Sequence, residues 1–295
     1  MEAFAAGGRG KGAAVLGSFD YVRARTVAEA STALMERPDA AVLAGGTDLL
    51  VDARSSARCL SLLVDIKGIG ELGELACGDN VASIGAAVPL NRLIENATVR
   101  GRFPGLAAAA ESIATYQLRN RATLVGNICN ASPAADMAPI LLVLGAEVIA
   151  ADASGERVIP IASFFTGVKR NALDAGEVVT RVELPMPSGV RTVALKQQRI
   201  RGHDLAVVNV AGSYLPEADR LKLAVGSCAP TPTLLDPMTV GSTSPGDLAM
   251  RALGQAGSAI CPIDDVRSSA AYRGAVLPVL LRRAIEGLLF GKGGA

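Results

Sequence analysis

Apolar and polar positions repeat on two periods along this chain, near two residues in some stretches and near 3.6 in others. Residues 19–23 read as a short strand. Thr26 then fits a helix N-cap with Glu29 as its capping-box partner, and Val27, Ala30, Leu34 and Met35 share one helical face. Pro38 and Asp39 end that helix. Residues 40–44 form a buried strand broken by Gly45 and Gly46, after which Thr47 and Asp48 can cap a helix from Leu49 to about Ala53. Residues 62–66 are a strand, and residues 72–76 with 81–84 a hairpin around Gly78, Asp79 and Asn80. Pro89 opens a helix, and residues 106–114 form a helix of small residues. Residues 123–136 read as a loop rich in turn formers. An apolar helix over 138–144, strands over 147–151 and 157–161, a turn at 164–167 and an alternating strand over 177–184 complete the first part.

The Pro/Gly punctuation at residues 185–189 suggests a boundary. It divides the chain into a tail over 1–17, a first domain over 18–189 and a second over 190–295. In the second domain, strands over 192–198, 206–214 and 221–225 have short links and so pair antiparallel. A turn-rich stretch over 230–245 leads to helices over 248–256 and 276–289. No internal repeat is seen.

Composition narrows the classes. Of 295 residues 50% are hydrophobic and 3% aromatic, enough for a sizeable core built from alanine, valine and leucine. A net charge of +1 gives no electrostatic case for nucleic acid or an anionic membrane. No apolar run of about 18 residues exists to span a membrane, and the first 17 residues lack the apolar segment of a secretory signal. The five cysteines, Cys59, Cys77, Cys129, Cys228 and Cys261, lack metal or cluster spacing. They read as reduced thiols of a cytoplasmic protein, buried for structural reasons, with Cys129 set apart by its place in the 123–136 loop.

Two stretches carry the chemistry. In Leu43-Ala-Gly-Gly-Thr-Asp-Leu49, a strand leads through two glycines and a hydroxyl into a helix start. Glycines clear Cβ atoms from a ligand's path, and backbone N–H groups can then meet phosphate. A simple strand-to-helix turn has the same local pattern, and Asp48 would repel phosphate unless it turns away to cap. In Thr123-Leu-Val-Gly-Asn127, Gly126 allows close approach and Asn127 offers a polar group, while Asp136 supplies a carboxylate before the next helix. Arg119 and Arg121 stand just upstream and suit the holding of loop carbonyls better than phosphate. His203, the single histidine, has no matched nucleophile and reads as structural or as an exposed loop residue. No hydrolase, zincin or Walker motif appears, so a cofactor is expected to supply the chemistry and no residue of the chain is assigned a catalytic role.

Residues 43–50, Leu118-Arg-Asn120, residues 123–136 and Ser269-Ala-Ala-Tyr-Arg-Gly-Ala-Val-Leu-Pro-Val-Leu-Leu-Arg-Arg-Ala284 together resemble the FAD-binding medium subunit of molybdenum hydroxylases. That family includes carbon monoxide dehydrogenase-like and xanthine dehydrogenase-like enzymes. The resemblance implies an α+β fold, with an FAD-binding domain of two α+β subdomains, vanillyl-alcohol-oxidase-like, before a smaller domain with an antiparallel sheet packed on helices. It implies an oxidoreductase subunit with FAD as cofactor. Electrons would come from 2Fe-2S clusters of a small subunit, fed by a molybdenum cofactor in a large subunit where the substrate is hydroxylated. They would pass to NAD+, a quinone or another acceptor. The assembly implied is a dimer of heterotrimers. A stand-alone flavin-dependent reductase on the same fold is the alternative, and an assembly module that has lost the cofactor a third.

By the same resemblance, the first pyrophosphate loop falls on Val42, Leu43, Ala44, Gly45, Gly46, Thr47, Asp48 and Leu49. The second falls on Thr123, Leu124, Val125, Gly126 and Asn127. Ile113 matches a position beside the cofactor, Val179 an apolar contact, Asp136 a carboxylate on the adenosine side, and Lys196 a lysine near the flavin ring. Val125 stands where the family's Thr-x-Gly-Gly-Asn pattern has its first glycine, and Gly274 stands where a second arginine commonly follows Tyr272-Arg273.

Overall fold

A computed structural model describes residues 18–55, 59–200 and 204–291. The expected tail over 1–17 and His203 lie outside the described residues. The chain opens with β1 (Asp20–Arg23), α1 (Val27–Glu36), β2 (Ala40–Leu43), α2 (Leu49–Arg54) and β3 (Leu62–Asp65). Thr26 caps α1 through Glu29 N (3.1 Å), while the Glu29 carboxylate accepts from Arg25 N (2.8 Å). The strands form a parallel sheet in the order β1-β3-β2. Ligands bind at the carboxyl ends of such strands, because the chain must leave there to cross over.

The middle of the chain builds a second layer. β4 (Leu75–Cys77) and β5 (Val81–Gly85) form the expected hairpin, followed by helices α3 (Leu90–Glu95), α4 (Ala97–Arg102), α5 (Pro104–Glu111), α6 (Tyr116–Arg119), α7 (Leu124–Cys129) and α8 (Met137–Leu144). Strands β6 (Glu147–Ala151) and β7 (Glu156–Pro160) come next. A helical turn α9 (Ile161–Phe164), the small hairpin β8 (Phe165–Gly167) and β9 (Arg170–Asn171), and β10 (Val178–Pro185) complete the layer. The sheet order is β4-β5-β10-β6-β7, antiparallel throughout. Every residue of α8 is buried, so a helix apolar on all sides sits at the centre of the molecule.

The last part is a four-stranded antiparallel sheet of β11 (Arg191–Gln197), β12 (Val208–Leu215), β13 (Arg220–Gly226) and β14 (Thr233–Leu234). Helices α10 (Pro245–Ala256) and α11 (Ala270–Phe290) cover it and share a separate core with it. α11 starts six residues before the expected helix, since Ser269 caps Tyr272 N (3.2 Å) and Pro278 is carried inside it. The sheet is joined to α5 and α8 by Gly105 N to Thr192 Oγ1 (2.9 Å) and Ser213 Oγ to Val143 O (3.0 Å). The fold is α+β, as expected. Among the described residues no helix is long and apolar enough to cross a membrane.

Three readings need correction. Residues 124–129 are helix, not loop: Thr123 Oγ1 accepts from Gly126 N (2.9 Å), and Leu124, Val125 and Ile128 bury into the core. Residues 161–167 form a helical turn and a strand instead of a simple turn, because Phe164 is fully buried and Phe165 pairs with Asn171. The cysteines are not uniformly buried, since Cys59 and Cys261 are exposed.

Candidate functional site

The carboxyl end of the parallel sheet opens on a cavity of about 550 Å³, within the size range of small-molecule and cofactor sites. One wall is Val42 with the turn from Ala44 to Leu49. The opposite wall is Thr123, Val125, Gly126 and Asn127. Ile113 and Val179 close one flank. Thirteen of the seventeen residues singled out in the sequence therefore share one cavity. Leu43 and Leu124 do not line it, although both belong to the turns that do.

Each turn is fixed locally. Gly46 has φ +74°, the left-handed region that glycine enters without strain. A Cβ on Gly45 would overlap the carbonyl oxygen of Arg121, so this glycine lets the two walls meet. Among the described residues, the amides of Gly45, Gly46, Thr47 and Asp48 meet no protein acceptor. Unpaired amides beside a cavity are donors available to a ligand. On the other wall, Asn127 Oδ1 accepts from Met137 N (3.2 Å), which ties that turn to the start of α8. Val125 is 4% exposed and packs into the core, while also reaching the cavity wall.

Asp48 does not cap α2 through its side chain, contrary to the sequence reading. It stays on the cavity wall, where burial pushes its carboxyl above the usual range and the charge of Lys169 pulls it back. Arg119 has the expected structural task. Its guanidinium donates to the carbonyls of Glu111 (3.0 Å), Ile113 (2.9 Å) and Ala114 (3.2 Å), which fixes the flank carrying Ile113. The Arg121 side chain is exposed and its carbonyl is the group that faces Gly45. Cys129 lies in the cavity wall, where burial raises its thiol to about 12 and keeps it protonated.

Asp136 and Lys196 lie apart from the main cavity. They pair at 2.9 Å beside a void of about 20 Å³ between α5, α8 and the C-terminal sheet. Lys196 also donates to Ser112 O (3.1 Å). Asp136 Oδ1 and Asn209 Oδ1 are buried there without partners. Lys67 escaped the sequence reading altogether. Its ammonium donates to Ala44 O (3.0 Å), at the base of the Gly45 turn. No local pattern could have flagged it, because the contact spans 23 residues. Among the described residues no group of three or more histidine, cysteine, aspartate or glutamate side chains is arranged to hold a metal ion.

The family model described as FAD binding domain in molybdopterin dehydrogenase matches residues 17–187, and the CO dehydrogenase flavoprotein C-terminal domain matches residues 193–288. The chain belongs to this family. It is 32% identical over 274 residues to the glyceraldehyde dehydrogenase medium chain of Sulfolobus acidocaldarius, covering 91% of this chain and 97% of that one. It is 34% identical over 218 residues to the xanthine dehydrogenase FAD-binding subunit of Escherichia coli O157:H7, covering 72% and 75%. Among solved structures, a chain of carbon monoxide dehydrogenase from Hydrogenophaga pseudoflava superposes with a TM-score of 0.88 at 27% identity, covering 95% of this chain and 100% of that one. The chain is thus an FAD-binding subunit of the molybdenum hydroxylase family. The cavity suits that cofactor on its own chemistry: it combines apolar flanks with four unpartnered amides at a glycine turn.

Proposed function

We propose that FAD binds in this cavity and that the chain relays electrons from iron–sulfur centres of a partner chain to an acceptor such as NAD+ or a quinone. FAD, when bound, supplies the capacity to take up and release electrons singly or in pairs. The pyrophosphate would be held by the amides of Gly45, Gly46, Thr47 and Asp48 and by the turn at Gly126 and Asn127. Val42, Ile113 and Val179 supply apolar contact. Lys196 donates to the Ser112 carbonyl (3.1 Å), next to Ile113, and would support the cofactor's flank from outside the cavity. The partners would be a small iron–sulfur subunit and a large molybdenum subunit, assembled as a dimer of heterotrimers in the cytoplasm.

The observation that carries this reading is that, among the described residues, the amides of Gly45–Asp48 have no protein acceptor and that this turn lines one cavity with a second glycine-bearing turn. The test is to purify the chain, record its visible spectrum and titrate it with FAD. A flavin band, or saturable uptake of one FAD per chain, is expected. A chain that neither carries nor takes up FAD would sink the proposal. Co-purification of two further chains, identified by mass, tests the relay.

A further inference from the structure

Lys67 follows β3 in a short 3₁₀ turn and lies below the end of β2. Its ammonium has three donors and uses them on three groups: Asp65 Oδ1 (2.6 Å), Ala44 O (3.0 Å) and Leu43 O (3.4 Å). Asp65 is itself held in place. Its Oδ1 also accepts from Lys67 N (2.9 Å), and its Oδ2 accepts from Tyr21 OH (2.7 Å). Tyr21 belongs to β1, Asp65 to β3 and Leu43 to β2. One buried carboxylate and one ammonium therefore link all three parallel strands.

The consequence for the cavity follows from peptide geometry. A trans peptide is planar, with its C=O and N–H pointing in opposite directions. The Ala44 carbonyl is pinned toward Lys67, so the Gly45 N–H in the same peptide points the other way. Gly45 lines the cavity, whereas Lys67 does not. Two glycines in succession are otherwise free to rotate, and ordering them on binding costs affinity.

We propose that Lys67 is a positioning residue that sets the Gly45–Asp48 amides for a diphosphate ligand without touching it. This rests on the assignment of FAD to the cavity. The ammonium holds the two carbonyls that precede the turn, Asp65 keeps the ammonium in place, and Tyr21 orients Asp65. The ligand then meets amides that are already aligned.

The experiment uses the full chain freed of flavin, with FAD as the probe. Lys67→Met keeps the length of the side chain and removes its charge and donors. Three readouts are taken: FAD affinity by flavin fluorescence, the ³¹P shifts of the bound pyrophosphate, and thermal melting of the flavin-free chain. Lys67→Met is expected to weaken FAD about tenfold or more, because the ligand must then order the turn that Lys67 no longer holds. The ³¹P shifts should move while the flavin-free chain, though it melts at a lower temperature because Asp65 loses its cation, still melts cooperatively. Lys67→Arg keeps a cation and donors, and should stay within about threefold of the parent. Parent-like FAD affinity and ³¹P shifts in Lys67→Met would overturn the proposal. So would loss of cooperative melting, which assigns Lys67 to the fold, or an arginine variant as weak as the methionine one, which assigns the loss to packing. A parent chain that takes up no FAD instead removes the cofactor assignment itself, and this proposal with it.

Discussion

Lys196 Nζ lies 2.9 Å from Asp136 Oδ2, and both side chains are more than nine-tenths buried. The pair joins β11 to the start of α8, beside the backbone contact of Ser227 N with Pro133 O (2.8 Å). It thus lies where the C-terminal sheet meets the FAD-binding part. Neither charge has water to fall back on, so each depends on the other.

Removing only the cation should therefore be costly. Lys196→Met leaves the Asp136 carboxylate buried and unpaired, with an expected loss of about 3–5 kcal/mol near neutral pH. The double change Asp136→Asn with Lys196→Met should lose less than Lys196→Met alone. The pH dependence has a definite sign. Burial raises the Asp136 carboxyl from 3.8 to about 6 even with Lys196 beside it. The folded chain thus holds an extra proton between those values, and this group's contribution to stability falls as pH rises through about 6. The cost of Lys196→Met should accordingly shrink at pH 4.5, where the carboxyl is neutral. Urea unfolding of the parent and both variants at pH 4.5 and 7.5 checks this. A Lys196→Met cost that is equal at both pH values would contradict it.

Arg273 predicts a second large effect. Its guanidinium is buried under the C-terminal sheet, 2.6 Å from Asp265 Oδ1 and 3.2 Å from Ser227 O. Asp265 also meets Arg267, and the two guanidiniums hold its carboxyl well below the usual range against the cost of burial. Arg273→Met strips one cation from that cluster and leaves the Ser227 carbonyl without its donor. A loss of about 3–5 kcal/mol is expected. Asp265→Asn should cost more, since it leaves the Arg273 guanidinium buried without its carboxylate, whereas Asp265 in Arg273→Met still has Arg267. Chemical denaturation ranks the two variants, and the opposite order would refute the account.

Gly45→Ala should act on both walls at once. The new methyl would overlap the Arg121 carbonyl oxygen, which is main chain and cannot swing away. The walls must part or the turn must move, at about 1–3 kcal/mol. Gly126→Ala is the milder comparison, because its methyl would meet only Thr123 Oγ1 at 3.0 Å. FAD uptake and melting temperature of the two variants should separate, with Gly45→Ala the more damaged on both measures.

Much of the cavity could be read from local pattern. Gly45 and Gly46 interrupt an apolar strand, and a glycine pair before a hydroxyl has few reasons other than close approach. The apolar run of α8 and the alternation in β10 were equally plain, since burial on all sides or on one face leaves a periodic trace. The helix at residues 124–129 was hidden because it is short, contains Gly126 and Asn127, and depends on the Thr123 hydroxyl and on burial of Leu124 and Ile128. The neighbours of Asp136 and Lys67 could not be read at all. Asp136 meets a lysine 60 residues away, and Lys67 reaches carbonyls 23 and 24 residues upstream. Contacts of that kind are set by how the sheets stack, which no window of sequence contains.

Asp48 gives the sharpest test of the cavity's electrostatics. A carboxylate at the base of a phosphate turn is tolerable if it folds back to cap the following helix. Asp48 makes no such cap, and it remains on the cavity wall with a carboxyl raised by burial. A diphosphate beside it adds like charge, which favours the protonated acid further. FAD affinity should therefore rise as pH falls from 8 toward 5, because binding and protonation of Asp48 support each other. Asp48→Asn removes the charge while keeping the shape, so it should bind FAD more tightly than the parent at pH 8. The difference between the two should be smaller at pH 5 than at pH 8. Fluorescence titrations at the two pH values decide the matter. An asparagine variant that binds more weakly at pH 8 would show that the carboxylate contributes an acceptor to the ligand instead of repelling it.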